Sequence, residues 1–205
     1  AEAVSRTGLY NVVSCSKAAI ESGMVLMGMY QGIDLILGLE KQSDNDLSYY
    51  KTFSPIMRQK LKTYAANNGR ILISGAYVSS DMASPSEQDF LTNVLKLNYG
   101  GKNKSVLEYN DKALDNGGKT ISGLGMTFNI HSQLNEFHYA APTTDVLKAM
   151  PQSFCAMQYD DGTNAAVAYQ GKDYKSFTMG FPFECIKGSK MRAKIMQGIL
   201  NFIMN

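Results

Sequence analysis

The stretch Arg70-Ile71-Leu72-Ile73-Ser74-Gly75-Ala76-Tyr77-Val78-Ser79-Ser80-Asp81-Met82 reads as an apolar strand that runs into a small-residue bend ready to open a helix. The unbroken apolar run at its start is the pattern of a strand covered on both faces, as a parallel sheet between helices requires. At the carboxyl edge of such a sheet an elbow lifts one side chain and the next backbone N–H above the strand ends, where nucleophiles and anion sites are built. No cysteine stands at this bend, and Gly75-Ala76-Tyr77 offers no strong nucleophile. The stretch speaks for a fold more clearly than for a reaction.

Working outward, the preceding helix is well signposted. Ser54 is an N-cap, Pro55 takes the first helical position, Met57, Leu61, Tyr64 and Ala65 recur on one face, and Gly69 after Asn67-Asn68 is the stop. Beyond the elbow, Ser84-Pro85-Ser86-Glu87 repeats the cap-plus-proline signature. Phe90, Val94, Leu95 and Leu97 form the apolar stripe of that helix, with Asn98 and Gly100-Gly101 closing it. Upstream, Leu9 to Val13 predicts a short strand, Ser14 or Ser16 caps a helix over Lys17 to Glu21, and Ile33 to Leu39 is an apolar strand carrying Asp34, a βαβ-like unit. Lys41 to Lys51 is a polar loop.

Downstream, residues 102–150 read as an irregular, β-rich insertion or edge, with pieces such as Ser105 to Tyr109 and Met126 to Ile130. Phe154 to Tyr159 and Ala165 to Tyr169 predict a hairpin across Asp160 to Asn164. Ser176 to Phe181 is a further strand, and from about Ser189 a closing helix presents Met191, Ile195, Ile199, Leu200 and Ile203.

Composition bounds the function. A chain of 205 residues suits a single domain that buries roughly 70% of its unfolded surface. A net charge of +2 with no dense Lys/Arg cluster argues against nucleic acid as a partner. The longest apolar runs fall short of the ~18 residues that membrane insertion needs. Cys15, Cys155 and Cys185 are an odd number without CxxC or CxH spacing, which argues against a zinc site or a disulfide framework and leaves one pair open. Neither a metal nor a cofactor is expected. Ala1-Glu2-Ala3-Val4 has no basic or apolar leader character, so the chain is expected to be cytosolic, already processed, or a segment of a larger protein.

The order of elements resembles the flavodoxin-like fold of the class I glutamine amidotransferase superfamily. "YKTFSPIMRQKLKTYAANNGRILISGAY" is similar to its helix, turn, strand and elbow, "AAVAYQ…SFTMGFPFE" to its late strands, and "RAKIMQGILNFI" to its closing helix. Closer still, the chain resembles domains of secreted Bacteroidetes proteins labelled xanthan lyase. The resemblance implies an α/β domain with a mainly parallel sheet flanked by helices. It also implies that the first strand and helix of such a sheet are missing or shortened before Leu9, to be completed by an upstream segment or a neighbouring domain. That family places Cys in a GxCxG elbow, with His and Glu two residues apart after a late strand. Here the elbow is Ser74-Gly75-Ala76-Tyr77-Val78, Pro182 takes the His position, and Glu184 stands where the family has Glu. Glutamine hydrolysis is therefore not expected. What the resemblance implies is a catalytically degenerate domain of a secreted or periplasmic, polysaccharide-associated protein, acting in carbohydrate binding or as a structural partner of neighbouring domains.

The alternative is a hydrolase or lyase that works on polysaccharide through Asp81, Glu184 and Tyr77. Hydroxyls at Ser79 and Ser80 and the carboxylate of Asp81 would bind a sugar or exchange protons, with Tyr77 as a stacking face, but the same residues are ordinary caps and turn formers. Glu184 either faces the cleft or bonds to nearby backbone N–H groups or Lys187. Asp34, inside an apolar strand, needs partners or a raised pKa, and is read as a binding residue or as a carboxylate at the strand mouth. A thiol enzyme would need one cysteine beside His131 or His138. Tyr49-Tyr50 and Phe137-His138-Tyr139 offer aromatic faces to a sugar, although the chain has no Trp.

Overall fold

A computed structural model describes residues 1–42, 50–104, 118–131, 139 and 141–205. The best-signposted helix, α3 (Pro55–Ala66), starts where Ser54 accepts a hydrogen bond from the Met57 N–H at 3.0 Å, and it buries Met57, Leu61, Tyr64 and Ala65. Asn68, with φ 60°, turns the chain into β2 (Arg70–Gly75). Two earlier helices, α1 (Glu2–Ser5) and α2 (Lys17–Glu21), are short, and Ser16 caps α2 by accepting from the Ala19 N–H. Strand β1 (Ile33–Gly38) lies beside β2, and β9 (Lys175–Met179) lies on its other side, both parallel to it.

Beyond β9 the sheet changes sense. Strands β8 (Asn164–Gln170), β7 (Ser153–Tyr159), β4 (Gly118–Gly123) and β5 (Met126–His131) follow in order, each antiparallel to its neighbour. The mainly parallel sheet read from the sequence is thus corrected: only β1, β2 and β9 run parallel. The reason is connection length, since a parallel step needs a crossover of a dozen residues or more whereas hairpin turns are short. Leu124 and Gly125 join β4 to β5 with φ 54° and 73°, the two positive values that a type I′ turn demands.

Strands β3 (Leu97–Lys104) and β6 (Thr143–Ala149) form a separate antiparallel pair. Residues 102–150 are accordingly no insertion set apart from the fold. Their strands extend the main sheet and build the second one, while Ser105 to Tyr109 lies outside the described residues. The helix after the elbow, α4 (Pro85–Phe90), widens into one looser turn over Leu91–Leu95 and stops at Lys96, with φ 58°. Asn98 and Gly100-Gly101 belong to β3, not to the helix end. Leu9 to Val13 forms no strand either. β1 is left as an edge, and its βαβ-like unit is incomplete.

The core lies on both faces of β2. Leu72 joins Phe177, Met179 and Phe181 under α5 (Ser189–Met204), whose Ile195, Met196, Ile199, Leu200 and Ile203 are buried and whose Met191 is partly so. Ile71 and Ile73 join Met57, Leu61, Phe90 and Leu95 on the α3 side. Each fully buried aliphatic side chain contributes about 1.5–3 kcal/mol, so the central strand is secured from both sides. Among the described residues no helix is long and apolar enough to cross a membrane.

Candidate functional site

The tips of β1 and β2 converge at the elbow. The Ala76 N–H donates to the Gly38 carbonyl at 2.8 Å, and a Cβ on Gly75 would stand 2.9 Å from the Leu37 Cβ, which explains the glycine. Residues 76–81 then form turns, and α4 begins only at Pro85. The helix thus starts at the Ser84-Pro85 signature, and the backbone N–H groups of the intervening turn have an acceptor of their own.

That acceptor is Asp145, a wholly buried residue of β6. Its Oδ2 accepts from the Ser79 N–H at 2.7 Å, the Ser80 N–H at 2.8 Å and the Ser79 hydroxyl at 2.9 Å. Its Oδ1 has no partner among the described residues. Burial pushes the Asp145 pKa up, against the hydrogen bonds from Ser80 and Ser79. Ser79 and Ser80 are thus engaged inside the protein.

Asp81 is engaged as well. Its Oδ1 accepts from the Gln42 N–H at 3.2 Å, its Oδ2 from the Thr52 N–H at 2.9 Å, and the buried Lys51 ammonium stands 3.6 Å from Oδ1. Lys51 reaches on to Glu87 at 3.5 Å, which Arg58 meets at 3.1 Å. Burial acts to raise Glu87, yet its bonds with Ser84 and the charges of Lys51 and Arg58 outweigh that and hold its carboxyl below the ordinary range. The Lys41 ammonium lies 4.8 Å from the centre of the Tyr77 ring, a cation–π contact on the ring read as a stacking face. Burial, then the Asp145 charge, raises the Tyr77 phenol, which stays protonated.

Glu184 follows β9 at the same edge of the sheet. Tyr139 donates its hydroxyl to Glu184 Oε1, and Oε2 is buried without a partner among the described residues. Both lie over the tip of β1, where a Cβ on Gly38 would come 3.0 Å from the Tyr139 hydroxyl and 3.5 Å from Glu184 Oε1. Burial and then the bond to Glu184 push the Tyr139 phenol far above its usual value. Among the described residues the partner of Glu184 is this phenol and not Lys187 or a backbone N–H, the alternatives the sequence offered. Among the described residues Asp81 and Glu184 have no hydrogen-bonding partner in common.

Asp34 is separate from this cluster. It shares a face of the sheet with Leu72, its neighbour across the ladder, and lines a cavity of about 650 Å³ on the α5 side. Its side chain is exposed, and the concave space it borders is open to solvent. Desolvation raises its pKa to about 6, and the Glu184 charge adds to the rise.

All three cysteines are free, so the one disulfide the sequence left open is not formed. Burial, then the Glu184 charge, pushes the Cys185 thiol up to about 12, which leaves no thiolate for nucleophilic work. His131 closes β5 at the edge of the sheet opposite β1, and His138, Phe137 and Tyr49 lie outside the described residues. Among the described residues no group of three or more His, Cys, Asp or Glu gathers as for a metal ion. Sequence reasoning missed Asp145 and Lys51, and it read Tyr139 as an aromatic face for a sugar, not as the partner of Glu184. The Asp145 signal was available, because an acid inside the β-prone run Thr143 to Ala149 poses the same question as Asp34 inside Ile33 to Leu39.

Similar backbones occur in two cytoplasmic proteins of Salmonella typhimurium, each 13% identical with a TM-score of 0.60, over 98% and 100% of this chain and 85% and 86% of theirs. A ThuA-like protein of Parabacteroides merdae aligns at 12% identity and TM-score 0.47 over 97% of this chain and 80% of that one. A β-galactosidase of Bacillus circulans aligns at 10% identity and TM-score 0.48 over 72% of this chain and 21% of its own, so the chain spans about a fifth of the length of the β-galactosidases it matches. No family model matches the sequence, and no curated relative does.

Proposed function

We propose that this chain is a catalytically degenerate, amidotransferase-like α/β domain of a secreted or periplasmic, polysaccharide-associated protein, and that it works by binding or as a structural module. The observation that carries the reading is Asp81, whose two carboxylate oxygens each accept a backbone N–H, from Gln42 and from Thr52. A general acid or base needs a free lone pair or proton within reach of substrate, and this side chain is anchored as a loop clamp. Two further points agree. The elbow glycine Gly75 ends β2 while Glu184 follows the adjacent parallel strand β9, the relative placement that the resemblance implies. The thiol and imidazole of the family are replaced by Ala76 and Pro182.

The test pairs turnover with retention. Xanthan and a panel of bacterial and plant polysaccharides are incubated with the protein while new reducing ends and unsaturated products are followed, and the same glycans are screened for binding. The expected result is no turnover, with retention on at least one glycan class. Turnover by the wild type that disappears in both Asp81→Asn and Glu184→Gln would establish the hydrolase or lyase instead.

A further inference from the structure

The cavity beside β1 exists because the sheet edge is incomplete. β1 has no strand on its outer side, α5 covers Leu72 rather than Asp34, and residues 9–16 pass the gap without regular structure. What remains is a space of about 650 Å³, within the range of small-molecule sites. Its lining is mixed: Val4, Leu72 and, from α5, Met196, Leu200 and Ile203 are apolar, whereas Asn11, Ser14 and Gln31 are polar.

Three charged side chains line it, and two of them are already paired. Lys17 binds Glu40 and donates as well to the Lys51 carbonyl at 2.9 Å and the Thr52 carbonyl at 3.3 Å. Asp34 is the third, with no hydrogen-bond partner among the described residues.

We propose that this cavity is a binding site for an apolar molecule bearing a protonated amine, the body lying against α5 and Leu72 and the ammonium pairing with Asp34. Asp34 is exposed and unpaired among the described residues, and a cation that enters beside it gains a charge-assisted contact while burying its own apolar surface against α5 and Leu72. An anion meets repulsion at Asp34. With a pKa of about 6, Asp34 is ionised at neutral pH, so the charge the ammonium needs is present. The site lies apart from the elbow and does not depend on the reading given for it.

The experiment compares octylamine, octanol and octanoate by titration calorimetry at neutral pH, with the labelled methyl groups of Met196 and Met204 followed by NMR to locate the site. Octylamine is expected to bind saturably, shift both methyl resonances, and bind about tenfold tighter than octanol, the worth of one charge-assisted contact. Asp34→Asn is expected to lower the amine affinity about tenfold and leave octanol unchanged. Met204→Trp, which fills the cavity from the helix end, is expected to abolish both and serves if Asp34→Asn does not fold. Equal binding of amine and alcohol, amine affinity untouched by Asp34→Asn, or no saturable binding to the folded protein would each overturn the proposal, the last pointing to a face covered by another polypeptide.

Discussion

Ser79 and Asp145, 66 residues apart in the chain, meet through two hydrogen bonds to one oxygen, from the Ser79 N–H at 2.7 Å and its hydroxyl at 2.9 Å. With the Ser80 N–H at 2.8 Å, three donors converge on a buried carboxylate and tie the elbow to the small sheet. Asp145→Ala leaves all three without an acceptor in a dry environment, where each unsatisfied group costs about 1–3 kcal/mol. Partial relaxation of the turn recovers some of this. The expected loss is about 3 kcal/mol in urea unfolding, and a loss under about 1 kcal/mol would show that water reaches the elbow.

Asp81 acts on the opposite side of the same turn. In Asp81→Asn one carboxylate oxygen becomes an amide nitrogen that faces either the Gln42 or the Thr52 N–H, donor against donor, and among the described residues Lys51 keeps Glu87 alone as an anion. A cost of about 2 kcal/mol follows, or a fall in melting temperature of about 4–8 °C for a chain of this length. Catalytic carboxylates show the reverse, since their replacement commonly relieves strain. A melting temperature unchanged or raised would therefore reopen the catalytic reading.

How much of this was legible in the sequence follows from which interactions are local. α3 is set by Ser54, Pro55 and an i, i+4 stripe, all within a dozen residues, and the sequence predicts it closely. The direction of β7 and β4 is set by turns, and of these only Asp160 to Asn164 carries an obvious signature. The elbow hydroxyls read correctly as turn-forming groups, yet their acceptor is 66 residues away in a stretch that looked irregular. Glu184 was found because a motif points at it. Its pairing with Tyr139 was not, because the phenol is distant in sequence and reads there only as one aromatic face among several.

Asp34 gives a pH dependence with a definite sign. Its folded pKa of about 6 lies above the ordinary 3.8, so between those values the folded protein holds a proton that the unfolded chain has released. Fewer protons on the unfolded state means that stability falls as pH rises through this window. Asp34→Asn removes that fall: its urea midpoint exceeds that of wild type at neutral pH and matches it near about pH 4. The open side of the carboxyl screens part of the effect, so the prediction is of direction. A wild-type midpoint that rises across this window relative to Asp34→Asn would contradict the desolvated setting.

Lys119 predicts the opposite slope at alkaline pH. Its ammonium, from β4, is buried against the Asn103 carbonyl at 2.6 Å and the Thr144 hydroxyl at 2.9 Å, and no carboxylate among the described residues pairs with it. Burial lowers its pKa to about 8 from 10.5, against the pull of Asp160 and Asp161. Between these values the unfolded chain binds the extra proton, so stability rises with pH from about 8 upward, by about 3 kcal/mol over the full window. Lys119→Met lacks that rise. Since the phenols contribute to both proteins, the comparison is of unfolding midpoints between wild type and variant at each pH, and parallel curves would show the amine to be solvated.

Gly180 links these features through backbone alone. It accepts from the Asp145 N–H at 2.9 Å, donates to the Ala165 carbonyl at 2.8 Å, and a Cβ there would stand 2.3 Å from the Asp145 carbonyl oxygen. No side chain can rotate away to make room, so Gly180→Ala must push β6 from the end of β9, at a cost of about 3 kcal/mol. The displacement moves the residue that holds the Ser79 and Ser80 N–H groups. Their amide resonances are therefore expected to shift in the variant although neither touches Gly180. The two substitutions also act on one contact, so Gly180→Ala combined with Asp145→Ala should cost at least about 0.5 kcal/mol less than the sum of the separate losses. Strict additivity in urea unfolding would mean that β6 and the elbow are positioned independently of the glycine.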